Sequence, residues 1–164
     1  MTFLLGDLET LLNLPREQGG RIHEKARFGG GFALAAGSAA WAETHHIAVH
    51  VNQNDPQVMT MALNNVQNLT NYYESQGDDV VVEVVAYGPG LNMLIPGKSP
   101  VAERIETMAL AMHGLTFSAC GNTHRAMSAK LGQEVALLDE ARIVPSGVVR
   151  LVELQEQGFA YVRP

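Results

Sequence analysis

From residue 45 onward the apolar positions fall into two alternating patterns: short β-branched runs, and longer segments with an apolar residue every third or fourth place. His46-Ile47-Ala48-Val49-His50-Val51 predicts a short strand. Asp55 then stands where a helix cap is expected, Pro56 at the first helical position and Gly77 just past the end. Between them Met59, Ala62, Val66, Leu69 and Tyr73 share one helical face. Residues 80–86 are almost continuously β-branched, as in a central parallel strand covered on both faces. Tyr87-Gly88-Pro89-Gly90 reads as a tight turn, and Ser99-Pro100 opens a second helix with Val101, Ile105, Met108 and Met112 as its stripe. Gly114 closes that helix and residues 115–119 predict a third strand. Cys120-Gly121-Asn122-Thr123 predicts a polar turn leading into helix around residues 126–131. Residues 142–144, 146–157 and 159–162 predict a fourth strand, a further helix and a closing strand.

Strand–helix alternation throughout this stretch predicts an α/β fold, a three-layer α/β/α sandwich around a mainly parallel sheet of about five strands. Composition agrees: of 164 residues 46% are hydrophobic and 17% charged. The formal net charge is −6 and no Lys/Arg cluster occurs, so a nucleic acid or an anionic membrane surface is not an expected partner. A single cysteine forms no internal disulfide and rules out a Cys-rich zinc site. The histidines show no H-E-x-x-H pattern, and His46 and His50, although spaced H-x-x-x-H, fall on a predicted strand, where four residues span about 13 Å, so neither a metal nor a cofactor is expected.

Composition changes near Glu43, which divides a leader, residues 1–42, from a domain, residues 43–164. The leader carries Arg21, His23, Lys25 and Arg27, then the uncharged residues 28–42 ending Ala40-Trp41-Ala42. This order is similar to a secretory signal with an A-x-A cleavage site. The uncharged stretch is too short and too rich in glycine for a membrane span. A periplasmic location follows if residues 21–42 act as a signal, and a cytoplasmic one otherwise.

In an open parallel sheet, ligands sit beyond the carboxyl ends of the strands. Three segments meet that condition: the stretch beginning at Asn52, the Tyr87-Gly88-Pro89-Gly90 turn, and Cys120-Gly121-Asn122-Thr123. Cys120 is the strong nucleophile among them. A cysteine at a strand end before a helix faces unpaired amide N–H groups, which favour the thiolate. Gly121 allows close approach to the backbone, and Asn122 or Thr123 is placed to cap the helix. Against this stands the ordinary role of a free cysteine as a small buried apolar side chain. His124 is placed either to stabilise a thiolate or to face solvent. His45 and His46 read as a solvated edge and His50 as a hydrogen-bonded sheet residue. Gly88-Pro89-Gly90 lacks the spacing of a phosphate-binding loop, and the methionines read as core or interface filler.

Several blocks together resemble the DsrE/DsrF-like sulfur-relay family. They are His46-Ile47-Ala48-Val49-His50-Val51-Asn52, Ala62-Leu63-Asn64-Asn65, Tyr87-Gly88-Pro89-Gly90 and Phe117-Ser118-Ala119-Cys120-Gly121-Asn122-Thr123, followed by Gly147-Val148-Val149-Arg150-Leu151. The resemblance covers residues 45–164. It implies an α/β/α sandwich that assembles as a trimer or hexamer, with Cys120 accepting sulfane sulfur as a persulfide and exchanging it with a donor or acceptor protein. The rim residues Asn52, Tyr87, Gly88, Gly121, Asn122 and Thr123 would then bind the substrate. Two other classes fit the same residues: a non-catalytic oligomeric module binding a small ligand at this rim, and a scaffold whose Met-rich helices build subunit contacts.

Overall fold

The computed structural model describes residues 42–164, so the signal-like leader lies, but for Ala42, outside the described residues. The chain runs β1 (Thr44–Val51), α1 (Pro56–Gln76), β2 (Asp79–Ala86), a 3-10 helix (Gly88–Leu94), α2 (Ala102–Ala111), β3 (Leu115–Cys120), α3 (Gly121–Leu131), β4 (Ala141–Val144), α4 (Gly147–Glu156) and β5 (Ala160–Val162). The ends of α1 obey local chemistry. The Asp55 carboxylate accepts from the Gln57 amide at 2.7 Å and the Val58 amide at 3.4 Å, and Gly77 ends the helix at φ 85°.

The five strands are parallel and lie in the order β4-β3-β2-β1-β5. From β1 to β4 the chain steps one strand at a time in the same direction. Right-handed crossovers therefore put α1, α2 and α3 on one face. The return from β4 to β5 crosses the whole sheet the other way and puts α4 alone on the opposite face. The larger core lies under α1 and α2, where Met59, Leu63, Val66, Ile105 and Met108 meet Val49, Val84 and Phe117. Under α4 a smaller cluster joins Leu151 and Leu154 to Ala48 and Val85. The expected three-layer α/β/α sandwich with a five-stranded parallel sheet is the observed fold.

Three local expectations change. The stretch after Tyr87 is not a simple tight turn but continues as the 3-10 helix, whose Gly90 lies where an added Cβ would be 2.4 Å from the Val51 carbonyl oxygen. α2 starts at Ala102 rather than at Ser99-Pro100, and the Ser99 hydroxyl accepts from the Val101 amide at 3.3 Å. α3 starts at Gly121, five residues before the expected helix, with no intervening turn.

Candidate functional site at the β3–β4 crevice

The chain leaves β3 toward the face of α1 and leaves β4 toward the face of α4. Between their carboxyl ends the backbone parts, and such a switch point is where an open parallel sheet forms a crevice. Cys120, the last residue of β3, pairs there with Val144 of β4. It also holds the N-cap position of α3, with extended backbone at φ −65° and ψ 113°. After Val144-Pro145-Ser146 the chain enters α4 at Gly147. Two helix N-termini thus converge on one sulfur.

Glycine makes this convergence possible. A Cβ on Gly147 would stand 3.1 Å from the Cys120 Cβ and 2.9 Å from the Tyr87 Cβ. A Cβ on Gly121 would stand 2.9 Å from the Val144 carbonyl oxygen. Any side chain at Gly147 would lift α4 off the thiol.

Cys120 is 4% exposed, and burial alone pushes the thiol pKa up. Stabilisation of the thiolate by the Thr123 side chain and by the amides of Gly147, Thr123 and Asn122 outweighs that effect, so the pKa lies below the ordinary thiol value. The Thr123 hydroxyl oxygen accepts from the Gly88 amide at 2.9 Å, which leaves its proton to donate to sulfur. The arrangement stabilises a thiolate with fixed dipoles rather than with a neighbouring cation.

The structure brings together Cys120, Tyr87, Gly88, Gly121, Asn122 and Thr123, with some roles changed. Neither Asn122 nor Thr123 caps α3, since both lie inside its first turn. The Asn122 amide serves the sulfur while its side-chain oxygen accepts from Arg125. Asn52 lies beside the Tyr87–Gly90 segment but two strands from β3, at the end of β1, and its side chain accepts from Arg163 at 3.3 Å. His124 is buried, with Nε2 2.7 Å from the Val135 carbonyl oxygen, so it neither faces solvent nor serves the thiolate. His45 is not a solvated edge residue: it stacks on Tyr73 and bonds Asp78 at 3.2 Å. His50 Nδ1 meets the Tyr161 hydroxyl at 2.6 Å and its ring stacks on Tyr87, while buried Nε2 has no hydrogen-bond partner among the described residues. Burial, then the Arg163 charge, lowers the His50 pKa.

One group of residues was missed in the sequence. Glu83, read as part of a continuous apolar strand, is buried on the α4 face and bonded to Ser118, Arg142 and Arg150. Burial raises its pKa, but the Arg150 and Ser118 hydrogen bonds and the Arg142 charge bring it below the usual carboxylate value. The available signal was a single carboxylate inside a β-branched run, together with an arginine one turn into an apolar helix. Val144 also lines a cleft of about 340 Å³ between β4 and α4, shared with Arg142, Ser146, Val149 and Arg150. Among the described residues no group of three or more His, Cys, Asp or Glu side chains is placed to hold a metal ion. No described helix is long and apolar enough to cross a membrane.

No family model matches the chain, and no curated protein matches it. Among solved structures it is similar to MTH1491, a protein of unknown function from Methanobacterium thermoautotrophicum, at 31% identity and a TM-score of 0.62. The match covers 73% of this chain and 99% of that chain.

Proposed function

We propose, for a chain that belongs to one family with the Methanobacterium thermoautotrophicum protein of unknown function, that Cys120 accepts sulfane sulfur and carries it as a persulfide. The observation that carries this reading is the thiol held between the N-termini of α3 and α4, with its pKa lowered by three amides and one hydroxyl despite burial. The motif resemblance to the DsrE/DsrF-like sulfur-relay family supports it.

The chemistry balances without a cofactor. The Cys120 thiolate attacks the outer sulfur of a donor persulfide R–S–SH; a new S–S bond forms and the donor's S–S bond breaks. The bonding pair leaves on the donor sulfur as RS⁻, and Cys120 becomes a persulfide. The amides that held the thiolate then face the charge of the deprotonated persulfide. With one cysteine in the chain, onward transfer requires a second molecule, a donor or acceptor protein or a small thiol. Whole-protein mass spectrometry after polysulfide treatment should show steps of about 32 Da that Cys120→Ser abolishes. An unmodified wild-type protein, or adducts that persist in the serine variant, would end this proposal.

The slight exposure of the thiol, 4%, favours a second reading, non-covalent binding of a small ligand at the same rim. Thermal stabilisation by small anions that survives Cys120→Ser would select it over the first; stabilisation lost in that variant would reject it. Both readings include a homo-oligomer, a trimer or hexamer. Val148, Val149 and Val152, about half exposed along α4, supply apolar surface for it together with Ile143 of β4. A monomeric mass by light scattering removes that element. Export through residues 21–42 belongs to the same proposal, and an intact Met1 on the mature protein would reject it.

A further inference from the structure

α4 is held to the sheet by few apolar contacts, mainly Leu151 and Leu154 against Ala48 and Val85. Such contacts are non-directional and do not fix a short helix along its axis or about it. The site nevertheless requires its first amide, on Gly147, to meet the Cys120 sulfur.

Beneath that amide lies a directional tie. Glu83 is 3% exposed, and both its carboxylate oxygens are occupied. Oε1 accepts from the Ser118 hydroxyl at 2.6 Å and Arg150 Nε at 2.8 Å. Oε2 accepts from Arg150 Nη2 at 2.7 Å and Arg142 Nη2 at 2.6 Å. Arg142 Nε also donates to Ser118 at 3.2 Å. One carboxylate on β2 therefore joins β3, β4 and α4. Strand alternation places Glu83 on the same sheet face as Tyr87, and Ser118 on the same face as Cys120. Arg150 lies three residues, about one turn, beyond Gly147.

We infer that Glu83, acting through Arg150, is a positioning residue for Cys120: it pins the first turn of α4 so that the Gly147 amide is held against the sulfur. The inference rests on Cys120 as the reacting thiol of the proposal above. A buried ion pair adds little net stability compared with apolar packing of the same volume. A bidentate guanidinium–carboxylate pair does, however, fix distance and orientation.

Charge and position make opposite demands, so they separate in experiment. Glu83→Gln leaves two guanidinium groups without their carboxylate, and through-space charge alone would then favour the thiolate and move its titration to lower pH. Loss of positioning moves it to higher pH. Arg150→Lys keeps the charge and loses the two-pronged bond; charge alone predicts no change, positioning again a higher midpoint. The readout is thiolate absorbance against pH in the full-length protein, with alkylation rate as a second measure and circular dichroism as the check on folding. Both variants should titrate at higher pH, and below the midpoint alkylation should slow on the order of tenfold. An unmoved or lowered midpoint in either folded variant overturns the inference; if Glu83→Gln does not fold, Arg150→Lys decides alone. A raised midpoint with no persulfide in the wild type would keep the positioning role and remove the sulfur proposal. A persulfide with unmoved midpoints would do the reverse.

Discussion

Thr123 accepts from the Gly88 amide while its hydroxyl lowers the pKa of Cys120, so the hydroxyl is oriented by the backbone of a different strand end. A hydrogen bond to a charged group is worth about 1.5–3 kcal/mol, which corresponds to roughly a ten- to hundredfold change in thiolate population. Thr123→Val should therefore raise the midpoint of the thiolate titration and, below that midpoint, slow alkylation by about tenfold or more. Thr123→Ser should retain most of the wild-type rate, and equal rates for Val and Ser would remove this role. Cys120 and its polar neighbours were legible in the sequence because nucleophile, glycine and short polar residues are contiguous. The Gly147 amide was not, because it reaches the thiol from beyond the end of β4, and the part of Gly88, already named at the rim, was not legible as acting through the Thr123 hydroxyl.

At the scale of elements, the start of α3 shows where local propensity misleads. Gly121, Asn122 and Thr123 are poor interior helix residues, which made them read as a turn. In the first turn that penalty matters less: the amides have no intrahelical partner, and here those of Asn122 and Thr123 point at the sulfur. Long periodic segments such as α1 were read nearly to the residue, since cap, stripe and terminal glycine agree. α4 depends on its close approach at Gly147. Adding one methyl there forces a Cβ to within 2.9 Å of Tyr87 and 3.1 Å of Cys120. Gly147→Ala should cost about 1–3 kcal/mol by overpacking, read from the denaturation midpoint, and should raise the thiol pKa as the helix start moves away. An alanine variant of unchanged stability and unchanged titration would show that the crevice accommodates the methyl.

For the whole molecule, alternation of strand and helix made the layer architecture legible, while strand order was not, because it rests on long-range pairing. Without that order the β3–β4 crevice was invisible, and with it the reason why two helix starts share one sulfur. The same thiol couples to global stability. Its folded pKa is lowered, so between folded and unfolded values the unfolded chain binds more protons and stability rises with pH. The contribution is present above the unfolded thiol pKa and is lost as pH falls through the folded one. The difference in unfolding free energy between wild type and Cys120→Ser should grow with pH across that window, and a flat difference would contradict the lowered pKa. The return of the chain over the second face carries a consequence in time. β5 pairs Ala160 with Ile47 of β1, joining opposite ends of the described chain, and α4 needs β1, β2 and β3 already assembled beneath it. Closing so long a loop is the slowest kind of contact to form. During refolding Cys120 should therefore react as an ordinary thiol until α4 docks, acquiring its acidity only in the last kinetic phase. Pulsed alkylation would reveal this as a late change in reactivity, and an early change would mean that the amides of α3 suffice on their own.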